Sequence, residues 1–204
     1  MTPGATLALI DYQAGNLHSV ANALRVAGAE PTITADPDTV ARADRIVLPG
    51  VGAFGACAAA LRAVPGLVEA VERRVLAEGT PFLGICVGMQ LMADTGEELG
   101  DHKGLGWIAG RVRRLEPATM EAKVPHMGWN DVRPLAPHPL IESGEAYFLH
   151  SYAFEGDGVI AATDHEGPVT AAIGRDNLLG VQFHPEKSQR YGLDLLSRFL
   201  RWRP

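Results

Sequence analysis

Cys86 sits in residues 81–90, P-F-L-G-I-C-V-G-M-Q, with a glycine two positions to either side. The apolar stretch 81–85, bounded by Gly79, Thr80 and Pro81 in front and by glycines around its end, predicts a buried strand feeding a turn. Leu91, Met92 and Ala93 follow Val87 at helical spacing, so the turn is expected to open a helix. The pattern G-x-C-x-G is the cysteine form of the nucleophile elbow: its glycines let the backbone turn tightly and leave the nucleophile clear of the sheet edge. A helix N-terminus beside the sulfur favours the reactive thiolate. The same residues also fit a small buried cysteine with no chemistry.

A thiolate nucleophile needs an imidazole to move protons, and the imidazole needs a third group to fix its tautomer. Phe183-His184-Pro185-Glu186 offers both. If this segment is extended, His184 and Glu186 point to one face, and Pro185 is tolerated at a strand end. A structural histidine beside a solvated acid is the other reading of H-x-E. Zinc deaminases also carry H-x-E, but the P-C-x-x-C partner is missing, and no metal is expected. Gly50-Val51-Gly52-Ala53-Phe54-Gly55 matches G-x-G-x-x-G, yet it follows the third strand of its unit. The acids about twenty residues on, Glu69 and Glu72, fall within a helical stretch, so a dinucleotide site is disfavoured and no cofactor is expected. A better use of residues 49–52 is a second glycine loop, whose N–H groups face that of Val87 across a developing oxyanion.

These pieces need a sheet whose strands end together. Residues 6–10, 31–34 and 45–48 read as buried strands, and 17–27, 54–63 and 67–77 as helices, with Asn16 a plausible cap and Gly28 a stop. That β-α-β-α rhythm predicts an α/β fold with a doubly wound, mostly parallel sheet and helices on both faces. After Gly100 the stretches 107–115, 124–133, 146–154, 159–163, 170–173 and 178–183 read as short strands. They imply an antiparallel extension of the same sheet or a small second one. Residues 192–201 close the chain as a helix.

The 204 residues are expected to form one domain, 1–204, with a sizeable core. A 47% hydrophobic and 21% charged composition indicates neither disorder nor a membrane span, and a net charge of −6 argues against general nucleic-acid binding. Two cysteines point to a reducing compartment. Residues 1–4 carry no basic region, so no signal peptide is expected and the cytoplasm is the expected location.

P-G-V-G-A-F-G, G-I-C-V-G-M-Q, P-H-M-G-W-N, F-L-H-S-Y and F-H-P-E-K-S occur in this order. Together they resemble the class I (triad-type) glutamine amidotransferases, and within them the glutaminase subunits of imidazole glycerol phosphate synthases. The likeness runs from Ile10-Asp11-Tyr12 to the final helix; Val87 and Ala153 depart from commoner residues without removing a functional group. It implies Cys86 as nucleophile, His184 as base and acid, and Glu186 as orienter, with Gly50, Val51, Gly52 and Val87 around the oxyanion. It also implies that Gly52, Gln90, Ser151 and Tyr152 hold glutamine. This chain shows no P-loop and no recognisable phosphate-binding synthase domain, so its ammonia is expected to be used elsewhere, and the resemblance implies a (β/α)-barrel cyclase subunit as the partner. Residues 125–130 place Met127 and Trp129 between polar loops. Core packing is the usual fate of such side chains, but the resemblance implies a docking face of His126, Met127, Trp129, Asn130 and Lys187.

Other readings stay open: a different cysteine hydrolase, a glutaminase serving another pathway, and a non-catalytic subunit on the same fold. His150 either lines the site or packs. His18, His102, His138 and His165 are expected to be solvated, and Cys57, in an alanine-rich stretch, to be inert packing.

Overall fold

Four strands are buried at every position, as strands covered on both faces must be. The computed structural model describes residues 5–116 and 123–204, so the signal-peptide reading of residues 1–4 lies outside the described residues. The first half runs β1 (Leu7–Ile10), α1 (Leu17–Val26), β2 (Pro31–Thr34), α2 (Pro37–Val40), β3 (Arg45–Gly50), α3 (Phe54–Ala63) and α4 (Leu67–Glu72). A π-helical turn, Arg73–Ala77, extends α4, and β4 (Phe82–Cys86) and α5 (Val87–Gln90) follow. Then come β5 (Thr95–Gly96), β6 (His102–Lys103), β7 (Gly110–Arg114), β8 (His126–Pro134), β9 (Gly144–His150) and β10 (Tyr152–Gly156). The chain ends with β11 (Val159–Asp164), β12 (Pro168–Arg175), β13 (Leu178–Val181), a 3₁₀ turn Pro185–Lys187 and α6 (Gln189–Arg201).

The main sheet has the order β2-β1-β3-β4-β13-β12-β11-β8-β9, and β10-β7-β5-β6 form a second sheet. The first five strands of the main sheet are parallel and the remaining four pair antiparallel. Both expected arrangements of the C-terminal half therefore occur, an extension and a separate small sheet. Glu69 and Glu72 both lie within α4, not at a strand end, which removes the acid that a dinucleotide ribose would need.

Several boundaries differ from the sequence expectations for physical reasons. The stretch 146–154 is two strands: β9 pairs with β8, and after Ser151 the chain crosses to pair β10 with β7. The helix after Cys86 is a single turn. The carbonyls of Leu91, Met92 and Ala93 accept instead from the N–H groups of Leu105, Trp107, Ile108 and Gly106, which stops the helix from continuing. Asn16 precedes α1 but its side chain makes no capping bond.

Register sets the site. β4 lies between β3 and β13, with Gly50 opposite Cys86 and Val181 opposite Ile85. The glycine loop after β3, the elbow after β4 and the segment after β13 thus leave the sheet at one carboxyl edge, where open α/β sheets place their ligands. Close packing there needs glycine twice. A Cβ on Gly50 would lie 2.6 Å from the Tyr12 hydroxyl and 2.8 Å from the Gly88 nitrogen. A Cβ on Gly88 would overlap the Leu48 carbonyl oxygen.

Candidate active site

Cys86 adopts φ +55° and ψ −115°, a conformation that a non-glycine residue rarely takes. The strain, of order 1–3 kcal/mol, is what a sharp strand-to-helix elbow requires, and it aims the sulfur away from the sheet. A one-turn helix contributes little macrodipole, so the expected helix stabilisation of the thiolate gives way to side-chain partners.

His184 is one such partner. Its Nδ1 lies 2.9 Å from Glu186 Oε1, with both side chains almost fully buried. The pairing does not come from strand alternation: Pro185–Lys187 is a 3₁₀ turn, which folds the carboxylate back onto the ring. Nδ1 is thereby engaged and Nε2 is left for the sulfur. Burial opposes charge on the imidazole. Hydrogen bonding to Cys86 and Glu186, together with their negative charges, outweighs it and raises the His184 pKa to about 10. His184 is therefore an imidazolium at neutral pH, set between Cys86 and the Glu186 carboxylate. Glu186 Oε2 is buried without a hydrogen-bond partner, so Oε1 and its bond to His184 hold the carboxylate in place.

A cavity of about 310 Å³ opens beside them. Among its lining residues are Val51, Gly52, Cys86, Val87, Gln90, Ser151, Tyr152, His184 and Lys187, nine of the residues singled out from the sequence. Asn16, Glu98, Pro125, Leu149 and His150 line it as well, and nothing in the local spacing pointed to them except for His150. Gly50 and Glu186 sit behind the wall, supporting it. At the glycine loop the Cys57 thiol donates to the Val51 carbonyl at 3.4 Å, so this buried cysteine does more than fill space. Burial raises its pKa and keeps it neutral.

Gln182 escaped the sequence reading, although it precedes the histidine motif by two residues. It is fully buried, and its Nε2 lies 3.7 Å from Cys86 Sγ. Gln90 Nε2 donates both to Gln182 Oε1 and to the Tyr152 carbonyl, each at 2.9 Å.

The proposed docking set splits by strand alternation. Met127 and Trp129 are 65% and 47% exposed, and Trp129 meets Tyr147 edge-on across β8–β9 at 6.1 Å. Lys187 Nζ stands 5.7 Å from the same Tyr147 ring. His126 corrects the expectation: it points to the opposite face of β8 and is only 4% exposed. Asn130 lies on that inner face too, with Nδ2 3.1 Å from His126 Nε2. His126 Nδ1 is 3.1 Å from His150 Nε2, and the His165 ring stacks on His126 at 4.3 Å. His165 and His138, whose ring meets Trp202 at 5.6 Å, are thus packed, contrary to expectation.

Burial lowers the pKa of His126 to about 4 and that of His150 to about 3. Both are neutral when folded, while the unfolded chain protonates below about 6.5. Their contribution to stability is present above that value and is lost as pH falls through the window down to about 4 and 3. His126→Phe keeps the stacking and removes the titration. Thermal unfolding from pH 7 to 4 should then show a loss smaller than that of the native chain by roughly 2–3 kcal/mol. Equal acid sensitivity would mean that His126 is charged in the folded state.

The family model for class I glutamine amidotransferases matches residues 8–201. The chain belongs to that family. The imidazole glycerol phosphate synthase subunit HisH of Zymomonas mobilis is 60% identical over 207 residues, covering 98% of this chain and 97% of that protein. The HisH subunit of Ruegeria pomeroyi is 52% identical over 209 residues, covering 97% and 99%. Among solved structures, the Thermotoga maritima PurLQS structure aligns with TM-score 0.75 at 18% identity, over 97% of this chain and 98% of that one. That likeness shows the fold. This amidotransferase is accordingly an enzyme of glutamine-amide hydrolysis, and no single described helix is long and apolar enough to cross a membrane.

Proposed function

We propose that this chain, as one glutaminase domain, is the glutaminase subunit of an imidazole glycerol phosphate synthase in the cytoplasm, supplying ammonia for histidine biosynthesis. The observation that carries the chemistry is the buried His184–Glu186 pair at 2.9 Å beside the Cys86 elbow, all at one cavity. HisH subunits at 50–60% identity over nearly the whole chain support the pathway.

Glutamine enters with its side-chain amide toward Cys86 and its backbone end among Gly52, Gln90, Ser151 and Tyr152. The thiolate attacks the amide carbon, and negative charge gathers on the oxygen, facing the loop 50–52 and the Val87 N–H. The His184 imidazolium gives its proton to the departing nitrogen. Ammonia leaves, and a γ-glutamyl thioester remains. His184, now neutral, takes a proton from water as the water attacks the thioester, and glutamate departs as the thiol ester bond breaks. Burial of Glu186 beside Nδ1 keeps the ring in one tautomer throughout.

The ammonia is used by a (β/α)-barrel cyclase that docks on the face formed by Met127, Trp129, Tyr147 and Lys187. An exposed tryptophan and tyrosine in edge contact beside a lysine are the kind of anchor that dominates interfaces. The test is glutamate release by the chain mixed with its cyclase subunit, together with the affinity of the pair. Trp129→Ala should weaken docking by roughly 1–4 kcal/mol while the lone chain melts unchanged. Unchanged affinity with a lowered melting temperature would return Trp129 to the core.

A further inference from the structure

We propose that Gln182 is a catalytic residue of this site, donating its side-chain N–H to the Cys86 sulfur and favouring the thiolate before attack; this rests on the glutaminase reading above. Gln182 is wholly buried, so both ends of its amide need partners. The two ends have the same shape, and only neighbours decide which one faces the sulfur. Here the neighbours leave no choice.

The Tyr152 carbonyl can only accept, so Gln90 must present its nitrogen to it at 2.9 Å. The second hydrogen of that nitrogen points at Gln182, 2.9 Å away, which must answer with its oxygen. The nitrogen of Gln182 is then the end that remains for Cys86 Sγ at 3.7 Å. The same logic fixes the other side of the Tyr152 carbonyl. Asn130 Nδ2 donates to the Asp164 carbonyl at 2.7 Å and to His126 Nε2 at 3.1 Å. That leaves His126 Nδ1–H to donate to His150 Nε2 at 3.1 Å, and His150 Nδ1–H to donate to Tyr152 at 2.9 Å. Two backbone carbonyls, at Asp164 and Tyr152, thus set the polarity of Asn130, His126, His150, Gln90 and Gln182.

An N–H donated to sulfur is weak for a thiol and stronger for a thiolate, where it is charge-assisted. Once the thioester forms, the sulfur is a poor acceptor and the bond is spent. Gln182 therefore raises the share of charged nucleophile and slightly blunts each thiolate, since nucleophilicity falls with basicity. The titratable groups around the sulfur and its cavity include His184 with Glu186, Glu98, Lys187, Tyr152 and the buried His150, and also Tyr12 and Cys57, whose pKa values burial raises so that both stay neutral.

Two near-isosteric variants separate donor from filler. Gln182→Glu keeps the oxygen that Gln90 needs and replaces only the donor; Gln182→Met removes both ends at similar volume. Alkylation of Cys86 by iodoacetamide, read by peptide mass spectrometry, should slow roughly tenfold or more at pH 6 in both variants, and most in Gln182→Glu. At pH 10 the Gln182→Met rate should equal or exceed that of the native chain, which a merely structural defect would not allow. Native-like pH 6 rates in both variants, or equal slowing of Gln182→Met at both pH values, would overturn the role. In the native chain, the Gln182 side-chain amide protons should move upfield when Cys86 is alkylated, a measurement that needs no core substitution; unmoved resonances would also overturn it. Alkylation reads the thiolate whatever the substrate is. Failure of the native chain and its partner to release glutamate would sink the glutaminase reading and leave this result standing.

Discussion

Cys86→Ala is expected to lower glutamine hydrolysis by roughly 10⁴-fold or more, while the complex still makes product from added ammonium salt. The alanine removes the only atom that can form the thioester and leaves the elbow backbone, the Val87 N–H and the cavity wall in place. Alanine has no easier access to φ +55° than cysteine, so the fold keeps the same local strain. The measurement is glutamate release against ammonia-driven synthesis in the same assembled complex. Loss of both activities would show that Cys86 supports the structure of the complex, and the nucleophile would have to be sought elsewhere. Cys57 is no substitute: its thiol is engaged by the Val51 carbonyl at 3.4 Å and burial keeps it protonated.

The second large effect separates the roles proposed for His184 and Glu186. His184→Ala removes the proton carrier for both half-reactions and should cost roughly 10²–10⁴ in turnover. Glu186→Gln should cost less, because a cysteine is intrinsically more acidic than a serine and depends less on the third member. Its signature is in pH. The His184 pKa stands at about 10 through Cys86 and Glu186 together. The stability this protonation contributes is present below the unfolded value of about 6.5 and is lost as pH rises through about 10. Removing the Glu186 charge should therefore shift the alkaline loss, of activity and of stability alike, to lower pH. An unshifted alkaline limb in Glu186→Gln would show that the carboxylate does not hold the imidazolium. Turnover as poor as that of His184→Ala would show that it does more than orient it.

The proposed docking face and the hydrogen-bond chain to the cavity share strand β8 through alternation alone. Met127 and Trp129 face outward with Tyr147, while His126 and Asn130 face inward on the chain of hydrogen bonds that reaches Tyr152. A partner seated on that outer face would touch the backbone whose inner side chains lead to the Tyr152 carbonyl.

The sequence by itself determined what depends on near neighbours. A cysteine flanked by glycines at two-residue spacing, after an apolar run, had to be a strand end turning sharply, because few other backbones suit those residues. Glu186 had to be close to His184, since two residues cannot separate far, and the stretches 6–10, 45–48 and 81–85 had to be strands, as the structure has them to within a residue or two. Even here the local path needed the structure: a 3₁₀ turn, not an extended strand, joins the imidazole to the carboxylate. Only the tertiary structure decided what depends on strand order and register. Gln182 meets Cys86 across 96 residues because β13 lies beside β4, and Gln90 meets Tyr152 across 62. The helix after Cys86 stops after one turn because residues 105–108 take the carbonyls that follow it, an exchange that no periodicity in residues 87–93 records. Ser151 reaches the cavity because a run that alternates like one strand is divided between two sheets. His126 is buried because register sets which side of β8 faces the protein. Hydrophobic spacing reports which side chains share a face; which face finds the core is settled by the strands that arrive beside it.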